Sequence, residues 1–240
     1  MRIAVLSDIH SNLVALDAVL SHAEALDAVW HLGDVVGYGP EPDGVVARLA
    51  EVGAVGVRGN HDAAAIGGLE IEWFNPEART AIEWTRDHIS PATRGWLAAH
   101  PEVRVMSDIT LVHGSPRDPL REYITSEAIA GTNLEGLATP HGLHGHTHVP
   151  VAFVASGDRV RRCDPPADVP QPFAGKRSLL NPGSVGQPRD GDPRASYLVL
   201  DPETMTATWH RVAYDIAAVQ AAMRAAALPG RLIDRLALGE

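Results

Sequence analysis

The opening quarter of the chain alternates three short apolar runs with two helix-like stretches, and each run stops at a polar cluster. Ile3–Leu6 ends at Ser7-Asp8-Ile9-His10, Ala28–Leu32 at Gly33-Asp34, and Ala54–Val57 leads to Gly59-Asn60-His61-Asp62. Between them lie a stretch from Leu13 to about Ala25 and another from Gly44 to Glu51. Asn12 is placed to cap the first helix, whose Leu13, Leu16, Ala18, Val19, Leu20 and Ala23 make a wide apolar stripe. A βαβαβ order commits the chain to an α/β fold with a largely parallel sheet and helices packed on it. It also says where to look for function, because ligands of open α/β sheets gather outside the carboxyl ends of strands.

The rest of the chain is less regular. Residues 63–101 read as a helical, aromatic-rich insert holding Trp73, Phe74, Trp84 and Trp96, with a helix over Pro76–Ile89. Its aromatics are expected to pack the core or to border a pocket mouth as a lid, with Ala63–Gly68 as a flexible hinge. Val103–Met106 and Thr110–Val112 predict a hairpin ending at His113-Gly114-Ser115-Pro116, and Ser126–Leu137 a helix. Gly142–His144 feeds Gly145-His146-Thr147-His148; Val149–Ala155 and Arg159–Arg162 then read as paired strands. A Pro-rich loop, 165–172, is followed by a strand at Ser178–Leu180 that ends at Asn181-Pro182-Gly183-Ser184. Ser196–Leu200 and Thr204–Val212 predict a closing hairpin, and residues 214–240 terminal helices over Asp215–Ala227 and Arg231–Leu238. No repeat or linker divides the chain, so one domain over 1–240 is expected.

With 240 residues, 45% hydrophobic and 21% charged, the composition is that of a globular protein able to bury a sizeable core. A net charge of −10 argues against a nonspecific grip on an anionic membrane or on nucleic acid, short oligonucleotides or nucleotides apart. The single cysteine, Cys163, excludes an intrachain disulfide and a thiolate-rich metal site. The N-terminal apolar run is too short for a signal peptide and no stretch approaches a membrane span, so a cytoplasmic location is expected. The twelve histidines are many for a chain of this length.

Those histidines, with Asp and Asn, recur just after the strand-like runs: Asp8, His10, Asp34, Asn60, His113, His146 and His148. Asp8 and His10 are two apart, as are His146 and His148, so in an extended segment each pair points to one face. Carboxylate, imidazole and amide without sulfur suit Mn²⁺, Fe or Zn²⁺. One ion with an open position needs three or four protein ligands, so seven are too many for one ion and suit two that share a bridging carboxylate. His22, His88, His100 and His210 are expected to be structural or exposed. His31 and His144 alternate with apolar neighbours near the clusters and are expected behind the ligands.

Taken together and in this order, Asp8-x-His10, Gly33-Asp34, Gly59-Asn60-His61-Asp62, His113 and Gly145-His146-Thr147-His148 resemble the calcineurin-like metallophosphoesterase superfamily. The His-Gly-Ser-Pro, Gly-His-Thr-His and Asn-Pro-Gly-Ser details look like its small bacterial and archaeal single-domain phosphoesterase branch. The similarity spans about residues 3 to 200. It implies a four-layer α/β/β/α sandwich of two mixed sheets with the site at one edge. Asp8, His10 and His148 would hold one divalent metal, Asn60, His113 and His146 a second, and Asp34 would bridge them.

The implied activity is hydrolysis of a phosphodiester or phosphomonoester of a small or nucleotide-type substrate. A metal-bridging hydroxide would be the nucleophile, and the metals with Asn60 would neutralise phosphoryl charge. His61, with an ordinary pKa in the useful range, would protonate the leaving oxygen, and Asp62 would orient or charge-stabilise its imidazole. The protein Ser/Thr phosphatase branch carries an Asp-Arg pair where this chain has Gly37-Tyr38, which weakens that reading. A dinucleoside polyphosphate hydrolase competes with it, as does a non-catalytic scaffold on the same fold; scaffold members tend to lose ligands that this chain keeps. Tyr38 and Arg189 are candidate substrate contacts.

Overall fold

Strand β1 (Ile3–Leu6) has no exposed side chain, as a strand covered on both faces must be. In the computed structural model, which describes residues 1–23 and 25–240, β1 lies at the centre of a six-stranded sheet. It pairs in parallel with β2 (Ala28–His31), which pairs in parallel with β3 (Val55–Gly56). On its other side the chain returns late: β11 (Ala195–Asp201) runs antiparallel to β1, followed by β12 (Thr206–Val212) and the short β9 (Gln171–Pro172). The expected βαβαβ unit is therefore one half of a mixed sheet.

The second sheet holds the middle of the chain in the order β4 (Val103–Met106), β5 (Ile109–Val112), β6 (His141–Leu143), β10 (Ser178–Asn181), β7 (Val151–Ser156), β8 (Arg159–Cys163). It too is mixed: β5, β6 and β10 are parallel, while β4, β7 and β8 pair antiparallel to their neighbours.

Period-two alternation explains how the layers stack. Ile3 and Val5 of β1, with Trp30, Leu198 and Trp209, face Ile109, Leu111, Leu143 and Leu180 of the other sheet and form the inter-sheet core. Ala4 and Leu6 face outward, onto Leu16 and Val19 of α1 (Leu13–His22) and Val45 and Leu49 of α2 (Pro42–Glu51). On the far side, Ala130 and Leu134 of α6 (Glu127–Gly136) cover Phe153 and Leu179. The result is α/β/β/α with two mixed sheets. Among the described residues no helix is long and apolar enough to cross a membrane.

Asn12 caps α1 as its sequence position indicates, its side chain accepting from the Ala15 amide at 3.0 Å. The helix ends at His22; Glu24, inside its expected span, lies outside the described residues. The expected Ala63–Gly68 hinge is not one. Ala63–Ala65 are the body of a short helix, α3 (Asn60–Ala65), and are buried, because small side chains let it sit against α4 (Pro76–His88) and α5 (Pro91–Ala99). The Pro-rich loop closes the open end of the sandwich: β9 pairs with β12, and the adjoining Phe173 inserts between the sheets. The terminal α7 (Ile216–Ala225) and α8 (Gly230–Asp234) pack Val219, Met223, Leu232 and Ile233 with Ala78 and Ile82 of α4.

Candidate metal centre

Seven side chains from both sheets meet at one edge of the sandwich. Asp8 and His10 follow β1, Asp34 follows β2, Asn60 follows β3, His113 follows β5, and His146 and His148 follow β6. All seven are at most 3% exposed. Among the described residues the groups close enough to share a cation are Asp8 with His10 and His148, Asp34 with His113 and His146, and His10 with Asp34 and His61, their ligand atoms within 4.8 Å of one another. Asp34 belongs to two of these groups: its Oδ2 lies 3.2 Å from His113 Nε2 and 3.8 Å from His10 Nε2.

The convergence of the paired residues does not come from extended backbone. Asp8, His10, Asp34, His146 and His148 all have positive φ, between 49° and 66°, as do neighbouring Ser11 and Tyr38. A non-glycine residue held left-handed costs on the order of 1–3 kcal/mol, and such strain clusters where function over-determines the backbone. Kinked loops, not a pleat, aim these side chains. One glycine makes the loops fit. A Cβ on Gly59 would stand 2.1 Å from Asp34 Oδ1, so only glycine lets the third loop close on Asp34.

Whether this cage suits a cation can be read from its imidazoles. His10 Nδ1 lies 3.2 Å from the Val36 carbonyl oxygen, His148 Nδ1 2.6 Å from that of Gln187, His113 Nδ1 2.9 Å from that of Leu32, and His146 Nε2 3.3 Å from that of Arg121. A carbonyl oxygen only accepts, so these nitrogens donate and the opposite nitrogen of each neutral ring keeps its lone pair. At His10 and His148 those lone pairs face one another, Nε2 to Nε2 at 3.1 Å; His113 Nε2 lies equally close to His146 Nδ1 but carries a proton when no metal is bound. Asn60 Oδ1 lies 2.8 Å from His113 Nε2. Acceptors aimed at one another at such distances repel unless something positive lies among them. These clustered side chains are able to hold metal.

Charge inside the cage follows the same logic. Burial opposes charge on His113, but the Asp34 carboxylate outweighs burial and raises its pKa to about 9. Burial favours the neutral acid at Asp8, yet His148 beside it holds that carboxyl well below the ordinary range. Burial keeps His10, His146 and His148 below the ordinary imidazole value, aided by His148 at the first, His113 at the second and Arg189 at the third.

His61 is placed beside the cage with its ring 4.9 Å from that of His10, 4.4 Å from Tyr38 and 5.1 Å from Phe74. Its backbone amide donates to Asp34 Oδ1 at 2.8 Å. Burial, against the opposing pull of Asp34, lowers its pKa to about 4, so the resting ring is neutral near pH 7 and not in the ordinary range. Asp62 does not support that imidazole. Its Oδ1 accepts from the Val36 amide and its Oδ2 from the Gly59 amide, both at 3.0 Å, which clamps the second loop to the third. His61 Nδ1 has no hydrogen-bond partner among the described residues. A Cβ at Gly37 would stand 2.6 Å from that nitrogen, so only glycine leaves room for the ring there.

Tyr38 is 6% exposed and wedged against His10 and His61, on the floor of the site and not at its mouth. The Arg189 guanidinium lies over the Tyr38 ring, 5.9 Å from its centroid, and donates to Gln187 Oε1 at 2.9 Å. Of the other histidines, His144 is buried behind the cage beside Asn181, whereas His31 faces away, stacked on Trp96 at 5.3 Å. Sequence reasoning assigned no job to the Asn-Pro-Gly-Ser turn. Asn181 Nδ2 donates to the Gly145 carbonyl at 2.7 Å and Ser184 Oγ to the Asp8 carbonyl at 2.8 Å, tying the first and last ligand loops together. Its position at the end of a buried strand was the available signal.

Residues 1–205 match the sequence profile of the calcineurin-like phosphoesterase superfamily domain. The chain belongs to this superfamily. It is 33% identical over 244 residues to an uncharacterised protein of Methanocaldococcus jannaschii, covering 99% of this chain and 98% of that one. The crystal structure of a metallophosphoesterase from Sphaerobacter thermophilus superposes with a TM-score of 0.92 at 44% identity, covering 100% of this chain and 99% of the other. A hypothetical protein of Pyrococcus horikoshii shares the fold at a TM-score of 0.81 and 21% identity, over 100% and 98% of the two chains. As a calcineurin-like phosphoesterase the chain is a metal-dependent hydrolase of phosphoesters, and its clustered His and Asp side chains are able to bind metal.

Proposed function

We propose that this phosphoesterase works with two divalent cations on small phosphoesters. The observation that supports the reading best is the two pairs of imidazole nitrogens brought within 3.1 Å of each other, each pair flanked by a carboxylate. Asp8, His10 and His148 would hold one cation, Asn60, His113 and His146 the other, with Asp34 between them. The nitrogen and oxygen donor set suits Mn²⁺, Fe or Zn²⁺. When bound, the two cations would activate a water as nucleophile near neutral pH and draw charge from the phosphoryl oxygens.

The chain's own residues supply the rest. Asn60 would orient the phosphoryl group, and Arg189, the cation over Tyr38, would contact a non-bridging oxygen. His61, neutral at rest, would take up the proton that the nucleophilic water gives up and deliver it to the departing oxygen. Burial of the cage excludes bulk water from that transfer. Gly37-Tyr38, in place of an Asp-Arg pair, leaves the site without the arginine that a phosphoprotein phosphatase would use from this loop.

A panel of bis-p-nitrophenyl phosphate, p-nitrophenyl phosphate, a dinucleoside polyphosphate, a phosphopeptide and single-stranded DNA, each with Mn²⁺ and then EDTA, tests this. EDTA-sensitive turnover of a small ester but not of the phosphopeptide is expected. Failure on every member would contradict the reading.

A further inference from the structure

The ligands and His61 account for the floor of the site but not for its mouth. Two loops stand there. The one before α4 brings Trp73 and Phe74; the one between β5 and α6 brings Arg121 and Tyr123. Trp73 is 42% exposed and Tyr123 43%, and among the described residues they are the only aromatics of the large apolar side chains left exposed. An exposed aromatic pair beside a catalytic cage is a binding surface in want of an occupant.

Each aromatic is tied to the cage by ring contacts. Tyr123 lies flat on His146, centroids 3.7 Å apart with 20° between planes. Trp73 rests on Phe74 at 4.2 Å, and Phe74 meets His61 edge-on at 5.1 Å. The loops meet where the Arg121 guanidinium sits over the Trp73 ring, 5.8 Å from its centroid, while the Arg121 carbonyl accepts from His146. The Arg121 loop is braced: Glu122 Oε2 accepts from Ser115 Oγ at 2.6 Å and Asn133 Nδ2 at 2.7 Å. The mouth is thus built beforehand, with two ring faces and a guanidinium plane one or two ring contacts from the metal cage.

We infer that Trp73 and Tyr123, with Arg121, form a stacking platform for a nucleobase, so that the substrate is a phosphoester carrying a nucleoside. The inference rests on the phosphoesterase site proposed above and adds the substrate class to it. A nucleobase stacks on an aromatic face whatever its identity, and a guanidinium plane serves the same purpose. An alkyl or simple sugar phosphate would fill the cage and leave the platform bare.

Calorimetric binding to the Mn²⁺-loaded protein tests this with two hydrolysis-resistant probes, methylphosphonate and the phosphonate analogue of AMP. In the native protein the nucleoside probe should bind at least about tenfold tighter, the gain expected of one stacked base. Trp73→Ala should weaken that probe by about tenfold and leave methylphosphonate unchanged, whereas Trp73→Phe should retain most of the gain. The nucleoside probe should also quench tryptophan fluorescence, and Trp73→Phe should remove that quenching. Equal binding of the two probes, or parallel losses for both in Trp73→Ala, would overturn the platform while leaving the phosphoester site standing. Binding of adenosine without binding of methylphosphonate would support the platform and sink the phosphoester site. Binding of neither phosphonate nor adenosine would overturn both.

Discussion

His10 Nε2 and His148 Nε2 stand 3.1 Å apart, and the other nitrogen of each ring is already committed to a backbone carbonyl. Two lone pairs held face to face by the fold make a cage that is complete only with a positive charge inside. His113 Nε2 and His146 Nδ1 are equally close, and there a proton on His113 supplies the positive charge when no metal is bound. Metal counting on purified variants follows from it: the native chain should hold two equivalents of Mn²⁺, His148→Ala and His113→Ala one each, and Asp34→Asn at most one. Unchanged stoichiometry in either histidine variant would contradict the assignment.

The same cage makes metal binding pH-dependent. With its pKa raised to about 9 by Asp34 over the opposition of burial, His113 is protonated at neutral pH in the metal-free protein. A cation there must displace that proton, so affinity of the site that His113 serves should rise about tenfold per pH unit up to roughly pH 9, with proton release measurable by calorimetry. A pH-independent affinity would count against His113 as a ligand.

His61 separates chemistry from metal holding. His61→Ala should keep both cations and lose roughly 10²–10⁴-fold in kcat, the usual range for removing a general acid. Asn60→Ala should lose rate and weaken one cation together. If His61→Ala sheds metal instead, its contact with His10 and Asp34 is that of a ligand.

The first half of the fold was legible because βαβαβ patterning is local: apolar runs, a capping asparagine and strand-end polar clusters are all read within a few residues of one another. The second sheet was not legible from patterning, since β10 enters between β6 and β7, and neither was the far half of the first, where β11 returns to β1 from nearly two hundred residues away. The metal-competent residues were legible by type and place, but the means of their convergence was not, because left-handed Asp8, His10, His146 and His148 leave no mark in composition. Asp62 illustrates the limit. Its neighbour in sequence is His61, yet its carboxylate serves the amides of Val36 and Gly59, a choice made by loop packing.

Gly59 tests the packing of the loops. Gly59→Ala would place a methyl group 2.1 Å from Asp34 Oδ1, with backbone on the other side, and overpacking of this kind costs about 1–3 kcal/mol. A fall in melting temperature with loss of at least one metal equivalent is expected. A fully loaded, equally stable variant would show that the second and third loops can part.

His31 tests burial away from the site. Both its ring nitrogens are without partners among the described residues, and burial, with His100 and Arg104, holds its pKa well below 6.5. The unfolded chain takes up a proton near that ordinary value and the folded one does not, so the neutral ring's contribution is present above about pH 6.5 and is lost as pH falls. His31→Phe keeps an aromatic against Trp96 and removes the orphan atoms. It should be as stable or more so by about 1–3 kcal/mol, and should lose less stability than the native protein between neutral and acidic pH. A variant with the native pH slope would contradict this.

The central claim is that two cations act together, and activity against bound metal tests it most directly. Metal-free protein would be titrated with Mn²⁺ while bound equivalents and hydrolysis of bis-p-nitrophenyl phosphate are followed in the same samples. Turnover should stay near zero through the first equivalent, appear with the second and vanish in EDTA. Full activity at one equivalent, or activity that survives EDTA, would contradict the account.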